Sequence, residues 1–189
     1  MPKFAVPDTM GLDEFFSDYV PANFDSMIAG ADLSGLSGKE VTLQYKVGDK
    51  SYCLKIKDGK NVEVIKGGID KPMFSLFVSE DDFKKAITGK AEGVIDRFID
   101  PVEIGDPKRV STLMTTKGVL NVSLKQGDST IPMTMVFNGE EKPAVSINLD
   151  VQDWVSMQKK ETTGQNLFMN GKIKFTGDMV LLMKLQSLL

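Results

Sequence analysis

Histidine is absent from this chain of 189 residues, and cysteine occurs only once, as Cys53. Without histidine the chain cannot form a Ser-His-Asp triad or a Cys-His nucleophile pair. The common zinc sites, which are built from histidine and cysteine, are excluded for the same reason. A single cysteine also excludes a disulfide bond within the chain, as is typical of proteins from reducing compartments. Only carboxylate or Ser-Lys catalysis remains open to this composition.

Clusters of basic residues and long apolar runs are missing as well. The 23 Lys and Arg residues stand against 26 Asp and Glu residues, which gives a net charge of −3. Proteins that bind the phosphate backbone of nucleic acids carry a cluster of basic residues, so we expect no nucleic acid as a partner. The longest apolar run, 179–183, is far shorter than the roughly 20 residues that span a bilayer. We expect no stable membrane insertion and, because the first residues do not resemble a secretory signal, a cytoplasmic location.

Apolar and polar residues alternate along several short segments of the first half. Residues 41–47 alternate in this way, and residues 52–56 continue the pattern after a Gly-Asp turn. Such alternation predicts antiparallel strands with one apolar face. Two more strands are expected at 62–65 and 74–78, and Cys53 then lies on the polar face, where we expect a passive role.

Helices are predicted between and beside these strands. An opening helix covers residues 12–20 and is expected to end at Pro21. Ser79 is a good N-cap for a second helix, because acidic residues follow it in the first turn. Within the linker from residue 96 to residue 116, we expect a short strand at 102–104 and a short helix at 108–114.

The order of turns, caps and strands recurs in the second half of the chain. Residues 41–52 align with residues 120–131 at an offset of 79, and residues 78–83 align with 149–154 at an offset of 71. We interpret this as an internal duplication, with a first unit at residues 1–116 and a second at 117–189, either separate or fused into one domain. Any two meanders followed by a helix share such an order, and this alternative stays open.

The last quarter of the chain carries the most distinctive pattern. Phe168 is followed by the segment GKIKFTGD at 171–178, and an apolar segment then carries Lys184 and Leu185 near its end. This pattern resembles the closing segment of the sterol carrier protein type-2 family. The first half resembles the opening of the same family in the segments FFSDYVPANFD, IKDG and LFVSEDDFKKAITGK. The resemblance implies an α+β fold, a mainly antiparallel sheet with helices packed on one face, here internally duplicated.

The resemblance is divided between the two copies. The closing segment of the first copy, RFIDPVEIGDPKRVSTLM, is only a weak echo of the family pattern, and the second copy lacks a long opening helix. The chain therefore departs from the single unit that is usual in the family. Two pockets, one shared pocket and one working pocket beside a decayed copy all remain open.

The function that the resemblance implies is non-catalytic binding or carrying of a lipid, such as a fatty acid, an acyl-CoA or a sterol-like molecule, in an apolar tunnel. No cofactor and no metal is expected. The 11 Met and 11 Phe residues suit an adaptable apolar wall, although any single Met also serves as ordinary core. The residues expected to line the tunnel lie in the family-like ending. They are Phe168, Ile173, Phe175, Met179, Leu182, Met183, Leu185 and Leu189.

Two other functions remain open. The chain could be a protein-interaction module without an open pocket, in which the apolar C-terminal helix forms the interface. Ser156 and Lys159 have the S-x-x-K spacing of a Ser-Lys nucleophile, but the companion motifs of such enzymes are missing. The identity of the lipid, the oligomeric state and the pathway are not specified by the sequence.

Overall fold

Apolar alternation produces a sheet that runs through both halves of the chain. The computed structural model of the protein describes residues 5–186 and 188–189. In this described part the strands form one eight-stranded sheet. They are β1 (Glu40–Val47), β2 (Lys50–Lys57), β3 (Asn61–Lys66), β4 (Phe74–Val78), β5 (Gly118–Gln126), β6 (Ser129–Phe137), β7 (Ala144–Asp150) and β8 (Lys174–Gly177).

The strands follow the order β3-β2-β1-β4-β6-β5-β7-β8 across the sheet. Two neighbouring pairs, β1 with β4 and β5 with β7, are parallel, and the other pairs are antiparallel. The halves meet where β4 pairs with β6, with Phe74 opposite Phe137. The expected α+β fold with a mainly antiparallel sheet is therefore confirmed. The two halves share this sheet.

Helices occupy the connections between the strands. The opening helical segment consists of α1 (Leu12–Glu14), a π-helical turn (Phe15–Tyr19) and α2 (Val20–Met27), and a 3-10 turn follows at Ser34–Leu36. The remaining helices are α3 (Glu80–Ile87), α4 (Asp96–Ile99), α5 (Pro101–Gly105), α6 (Pro107–Thr115), α7 (Val151–Gln158), α8 (Gly164–Met169) and α9 (Met179–Leu185).

Two sequence expectations about helix boundaries are wrong. Pro21 does not end the opening helix, because the π-helical turn before it shifts the hydrogen bonding, with the Val20 N–H donating to the Phe15 oxygen. The proline then stands in the first turn of α2, where its missing N–H costs little. The strand expected at 102–104 is helix α5, because the Asp100 carboxylate accepts from the Val102 N–H at 3.0 Å and caps a helix there.

The repeated order of elements is also seen in the geometry. Helices α3 and α7 begin and end at an offset of 71 residues, as the alignment requires. Val41 pairs with Ile56 in the first half, and Leu120 pairs with Met135 at an offset of 79 in the second. The parallel pairing of β5 with β7 is shifted by two residues relative to that of β1 with β4. Because side chains alternate along a strand, a shift of two leaves equivalent side chains on the same face of the sheet. The internal duplication is thus indicated in part, and the unit boundary at residue 116 stays a prediction.

The linker between the halves is fixed over the junction of the sheet. The Tyr45 hydroxyl donates to the Phe98 main-chain oxygen at 2.8 Å, and the Trp154 Nε1–H donates to the Val94 oxygen at 2.8 Å. The Phe98 ring stacks between Phe74 and Trp154, with centroid distances of 6.0 and 6.3 Å. These contacts join residues of both halves into one core.

The face of the sheet that points away from this core is partly covered near β1 and β2. Cys53 lies on this face, as predicted, but it is fully buried instead of exposed. The segment after β3 folds over its neighbour Gln44, whose Oε1 accepts from the Ile69 N–H at 2.9 Å. Burial raises the pKa of the Cys53 thiol to about 11. The thiol therefore stays protonated near neutral pH, which agrees with a passive role.

Candidate ligand cavity

A cavity of about 670 Å³ lies at the β8 end of the sheet, under the last helices. Ile147 of β7 and Phe175 of β8 contribute the sheet side, and α8, α9 and the end of α7 contribute the helical side. Its lining residues are Arg97, Ile147, Met157, Lys160, Thr162, Thr163, Gly164, Gln165, Phe168, Ile173, Phe175, Met179, Leu182, Met183, Gln186 and Leu189. The volume is within the range of pockets that hold small organic ligands, roughly 300–1,000 Å³.

Seven of the eight residues that the sequence suggested for the wall line this cavity. Leu185 does not, because it is fully buried in the core together with Leu181. The two residues are four positions apart and so share the face of α9 that packs on the sheet. Met179, Leu182 and Met183 lie on the adjoining face, toward the cavity. That any of these residues contacts a ligand stays a proposal.

The turn from β8 into α9 sets the position of this helical wall. Gly177 has a φ of +104°, and a Cβ at this position would collide with the Ala144 main-chain oxygen, so glycine is required. Asp178 follows and caps α9, its Oδ1 accepting from the Leu181 N–H at 2.7 Å. The Gly-Asp pair of the sequence motif therefore turns the chain sharply and starts the helix beside β7.

Some lining residues were not singled out from the sequence. Met157 lies on the same helix as the buried Trp154 and lines the cavity. Arg97 belongs to the linker, 92 residues before its partner Leu189, and no local pattern indicates this contact. The sequence could have indicated Thr163, because threonine is a common N-cap. Its hydroxyl caps α8 and accepts a hydrogen bond from the Asn166 N–H at 3.1 Å.

Basic side chains gather at one end of the cavity. Arg97 donates to the Leu189 main-chain oxygen at 2.7 Å and to the Glu103 carboxylate at 3.1 Å. The same carboxylate accepts from Arg109 at 3.2 Å. Burial by itself would raise the pKa of Glu103, but Arg97, Arg109 and the nearby Lys160 together bring it below its ordinary value. Of these charged side chains, Arg97 and Lys160 line the cavity.

Three apolar side chains of the lining are also exposed to solvent. Phe168, Met179 and Met183 line the cavity and are also 50%, 52% and 63% exposed. The Phe168 and Phe175 rings lie 5.5 Å apart between their centroids. These side chains form a mouth whose apolar atoms reach both the interior and the surface.

The lining offers little acid-base or nucleophilic chemistry. It contains no carboxylate among the residues that the structure describes at the cavity. Lys159 of the S-x-x-K segment has its Nζ 4.0 Å from the Glu92 Oε1, an ion pair on the surface. Within the described residues no three His, Cys, Asp or Glu side chains are grouped to hold a metal ion. None of the described helices combines the length and the apolar character needed to cross a membrane.

The part of the chain that forms the cavity is similar to a known protein family. Residues 105–189 match the SCP-2 sterol transfer family. The resemblance found at the end of the sequence is therefore confirmed for this segment, the SCP-2 region. Every lining residue of the cavity except Arg97 lies within it. The match does not include the first half of the chain, so a tandem pair of family domains is not confirmed.

Several solved structures are similar to parts of the chain. The sterol carrier protein domain 2 of Helicoverpa armigera is 25% identical, with a TM-score of 0.36, over 45% of this chain and 74% of that one. Sterol carrier protein-2 like-3 of Aedes aegypti is 18% identical, with a TM-score of 0.33, over 44% and 91% of the respective chains. Sterol carrier protein 2 like 2 of Aedes aegypti is 11% identical, with a TM-score of 0.23, over 93% and 97%. No curated protein matches the chain.

Proposed function

We propose that this protein binds a lipid in the cavity under α8 and α9 and carries it without chemical change. The observation that carries the proposal is an apolar cavity of about 670 Å³ within the SCP-2 region. A fatty acid, an acyl-CoA or a sterol-like molecule is the proposed ligand. We assign the apolar tunnel expected from the sequence to this cavity.

Desolvation of the apolar part of the ligand would drive binding. Each methylene moved from water into an apolar site contributes about 0.8 kcal/mol, so ten methylenes contribute about 8 kcal/mol before the costs of association. Ile147, Ile173 and Leu182 would contact that part. Thr162 and Thr163 between α7 and α8, together with Arg97 and Lys160, would face a polar group of the ligand.

The lining supports binding more than catalysis. No carboxylate lines the cavity among the described residues, which leaves general acid-base work without its usual groups in a chain that has no histidine. Met157, Met179 and Met183 have flexible thioether side chains that adapt to apolar ligands of different shape. We assign these residues the role of an adaptable wall.

Native mass spectrometry of the purified chain, followed by organic extraction, tests the proposal. The expected result is a co-purified lipid, or uptake of an added fatty acid, acyl-CoA or sterol. A chain that remains without ligand after incubation with all three classes would contradict lipid binding and favour the protein-interaction module instead.

A variant that fills the cavity locates the site. Leu182→Trp adds a bulky ring at the lining and is expected to lower affinity for the added lipid at least about tenfold. Val180→Trp is the matched control, since Val180 lies on the same helix, is 78% exposed and does not line the cavity. Equal loss of affinity in both variants would place the ligand elsewhere.

A further inference from the structure

One side chain of the cavity lining comes from outside the SCP-2 region. Arg97 lies on α4, in the part of the linker that precedes residue 105, whereas the other lining residues belong to the matched segment. Its side chain is only 13% exposed. A charged group that is largely removed from water is costly unless other groups pair with it. The contacts of this guanidinium group therefore determine what it can offer to a ligand.

The protein satisfies only part of the guanidinium group of Arg97. Its Nε–H donates to the Glu103 Oε2 at 3.1 Å, and one Nη donates to the Leu189 main-chain oxygen at 2.7 Å. Within the described part of the chain, no group accepts a hydrogen bond from the other Nη. The Glu103 Oε2 is also shared, since it accepts from Arg109 at 3.2 Å. Arg97 thus retains N–H donors for a further acceptor in the cavity.

The charged side chains of the lining have the same sign. Among the described lining residues they are Arg97 and Lys160, and no carboxylate is included. Although burial raises the pKa of Glu103, both cations lie near enough to help lower it, so they share one region of the site. The neighbouring Lys159 is outside the lining and pairs with Glu92 at the surface. A negatively charged group in the cavity would meet two cations and no acidic side chain of the lining.

An ionised carboxylate is the lipid head group best matched to these donors. It forms short, charge-assisted hydrogen bonds with a guanidinium group, and their attraction is stronger in a cavity with little water than at the surface. A neutral head group, such as the hydroxyl of a sterol or a fatty alcohol, would displace water from Arg97 without supplying a countercharge. The apolar lining would contact the hydrocarbon part of each ligand alike, so the discrimination depends on the head group.

We propose that Arg97 makes the cavity select lipids with an ionised carboxylate, a fatty acid in the simplest case, over neutral lipids such as sterols. This inference rests on the proposed function, because it specifies the head group of the lipid that the cavity binds. The linker then supplies the contact that distinguishes head groups, and the SCP-2 region supplies the apolar wall.

Two ligands that differ only in their head group test this selection. Radiolabelled palmitic acid and hexadecanol have the same number of carbon atoms, and at about pH 8 only the acid is charged. The unaltered chain should bind the acid at least about tenfold more tightly than the alcohol, and cholesterol should bind as weakly as the alcohol or more so. Arg97→Gln should lose most of this preference, and Arg97→Lys should keep part of it. The ratio of the two affinities is unaffected by a general loss of stability, which weakens both ligands alike.

Lys159→Gln is the matched control for the loss of one positive charge. Lys159 lies near the cavity but outside its lining, so this variant should keep the preference for the acid. Equal binding of acid and alcohol to the unaltered chain, or a preference that Arg97→Gln retains, would overturn the inference and leave the proposed function standing. Equal loss in Lys159→Gln would also overturn it, because the preference would then reflect the overall charge. Binding of none of the three lipids would contradict the proposed function itself, and this inference with it.

Discussion

The two halves of the sheet cover their apolar faces with different side chains. In the first half, rings from α3 and the opening helical segment fill the space over β1 and β2, with Phe16 stacked 4.3 Å from Tyr52 and 5.4 Å from Phe83. In the second half, the equivalent helix α7 carries the buried Trp154 at the position of Phe83, but no long opening helix precedes the sheet. The short helices α8 and α9 cover that end, and the cavity lies under them.

Individual aligned positions show the consequence. Ala86 of α3 is buried in the core, whereas Met157, its equivalent at an offset of 71 residues, lines the cavity. Leu76 of β4 is likewise enclosed, and its equivalent Ile147 lines the cavity. The same framework thus forms a closed core where rigid rings fill it, and it leaves a cavity where flexible side chains and short helices cover it.

The largest expected effect on stability comes from removing a buried ring in the first half of the chain. Phe16→Ala removes a fully buried ring that contacts four other rings, so we expect a loss of about 3–5 kcal/mol in the free energy of unfolding. Phe168→Ala in the other half should cost less than about 1 kcal/mol, because that ring is half exposed. Urea denaturation of both variants measures the difference. Equal losses would show that the two halves are packed alike.

A smaller effect is expected from loosening the helical wall of the cavity. Asp178→Ala removes the cap of α9 and should cost about 0.5–2 kcal/mol, chiefly in local opening of that helix. Hydrogen exchange of α9 should accelerate, and the release rate of a bound fluorescent fatty acid should rise with it. Asp150→Ala, which removes the equivalent cap of α7, is the control and should leave α9 exchange unchanged. Unchanged lipid release in Asp178→Ala would show that opening of α9 does not control the release of the lipid.

The basic end of the cavity gives an expected pH dependence. The pKa of Glu103 is held below its ordinary value near 4.5, so its carboxylate stabilises the folded state above that pH. The contribution is lost as the pH falls through the lowered pKa of the folded state. Glu103→Gln should therefore cost about 1–2 kcal/mol at pH 7, since the group is only partly buried, and less in acid. A cost that does not change with pH would exclude an electrostatic origin.

The smallest effect is expected at the surface of the cavity-bearing half. Lys172 and Asp153 form an ion pair of 2.6 Å between the start of β8 and α7, and the lysine is about half exposed. Lys172→Ala should cost at most about 1 kcal/mol in the free energy of unfolding, measured at low and high salt. A much larger or salt-independent loss would mean that this pair holds the end of the sheet in place.

Local patterns predicted most of the elements, but not their assembly. Alternation at 41–47 and the cap at Ser79 correspond to β1 and α3, because spacing and capping act within a few residues. The sequence did not predict the pairing of β4 with β6, which depends on contacts between residues about 60 positions apart. The burial of Cys53 was missed for the same reason, since the segment that covers its neighbour Gln44 lies beyond β3.

The candidate site, too, was predicted from the sequence only in part. The family-like ending indicated seven of the lining residues, because its apolar side chains from α8 to Leu189 lie beside the cavity. It also suggested Leu185, since an almost wholly apolar segment does not reveal which face of the helix is toward the core. Arg97 and Ile147 could not be assigned to the cavity, because the linker and β7 reach it only through the tertiary fold.

The methyl groups of methionine provide the most direct test of a lipid site in the second half. Met157, Met179 and Met183 line the cavity, whereas Met133 and Met135 are buried in the core side of β6. In NMR spectra of the methyl-labelled chain, titration with a fatty acid should shift the signals of the first three and leave those of Met133 and Met135 nearly unchanged. Shifts at Met133 and Met135 without shifts at the cavity methionines, or no shifts at all, would contradict the assignment of the cavity as the lipid site.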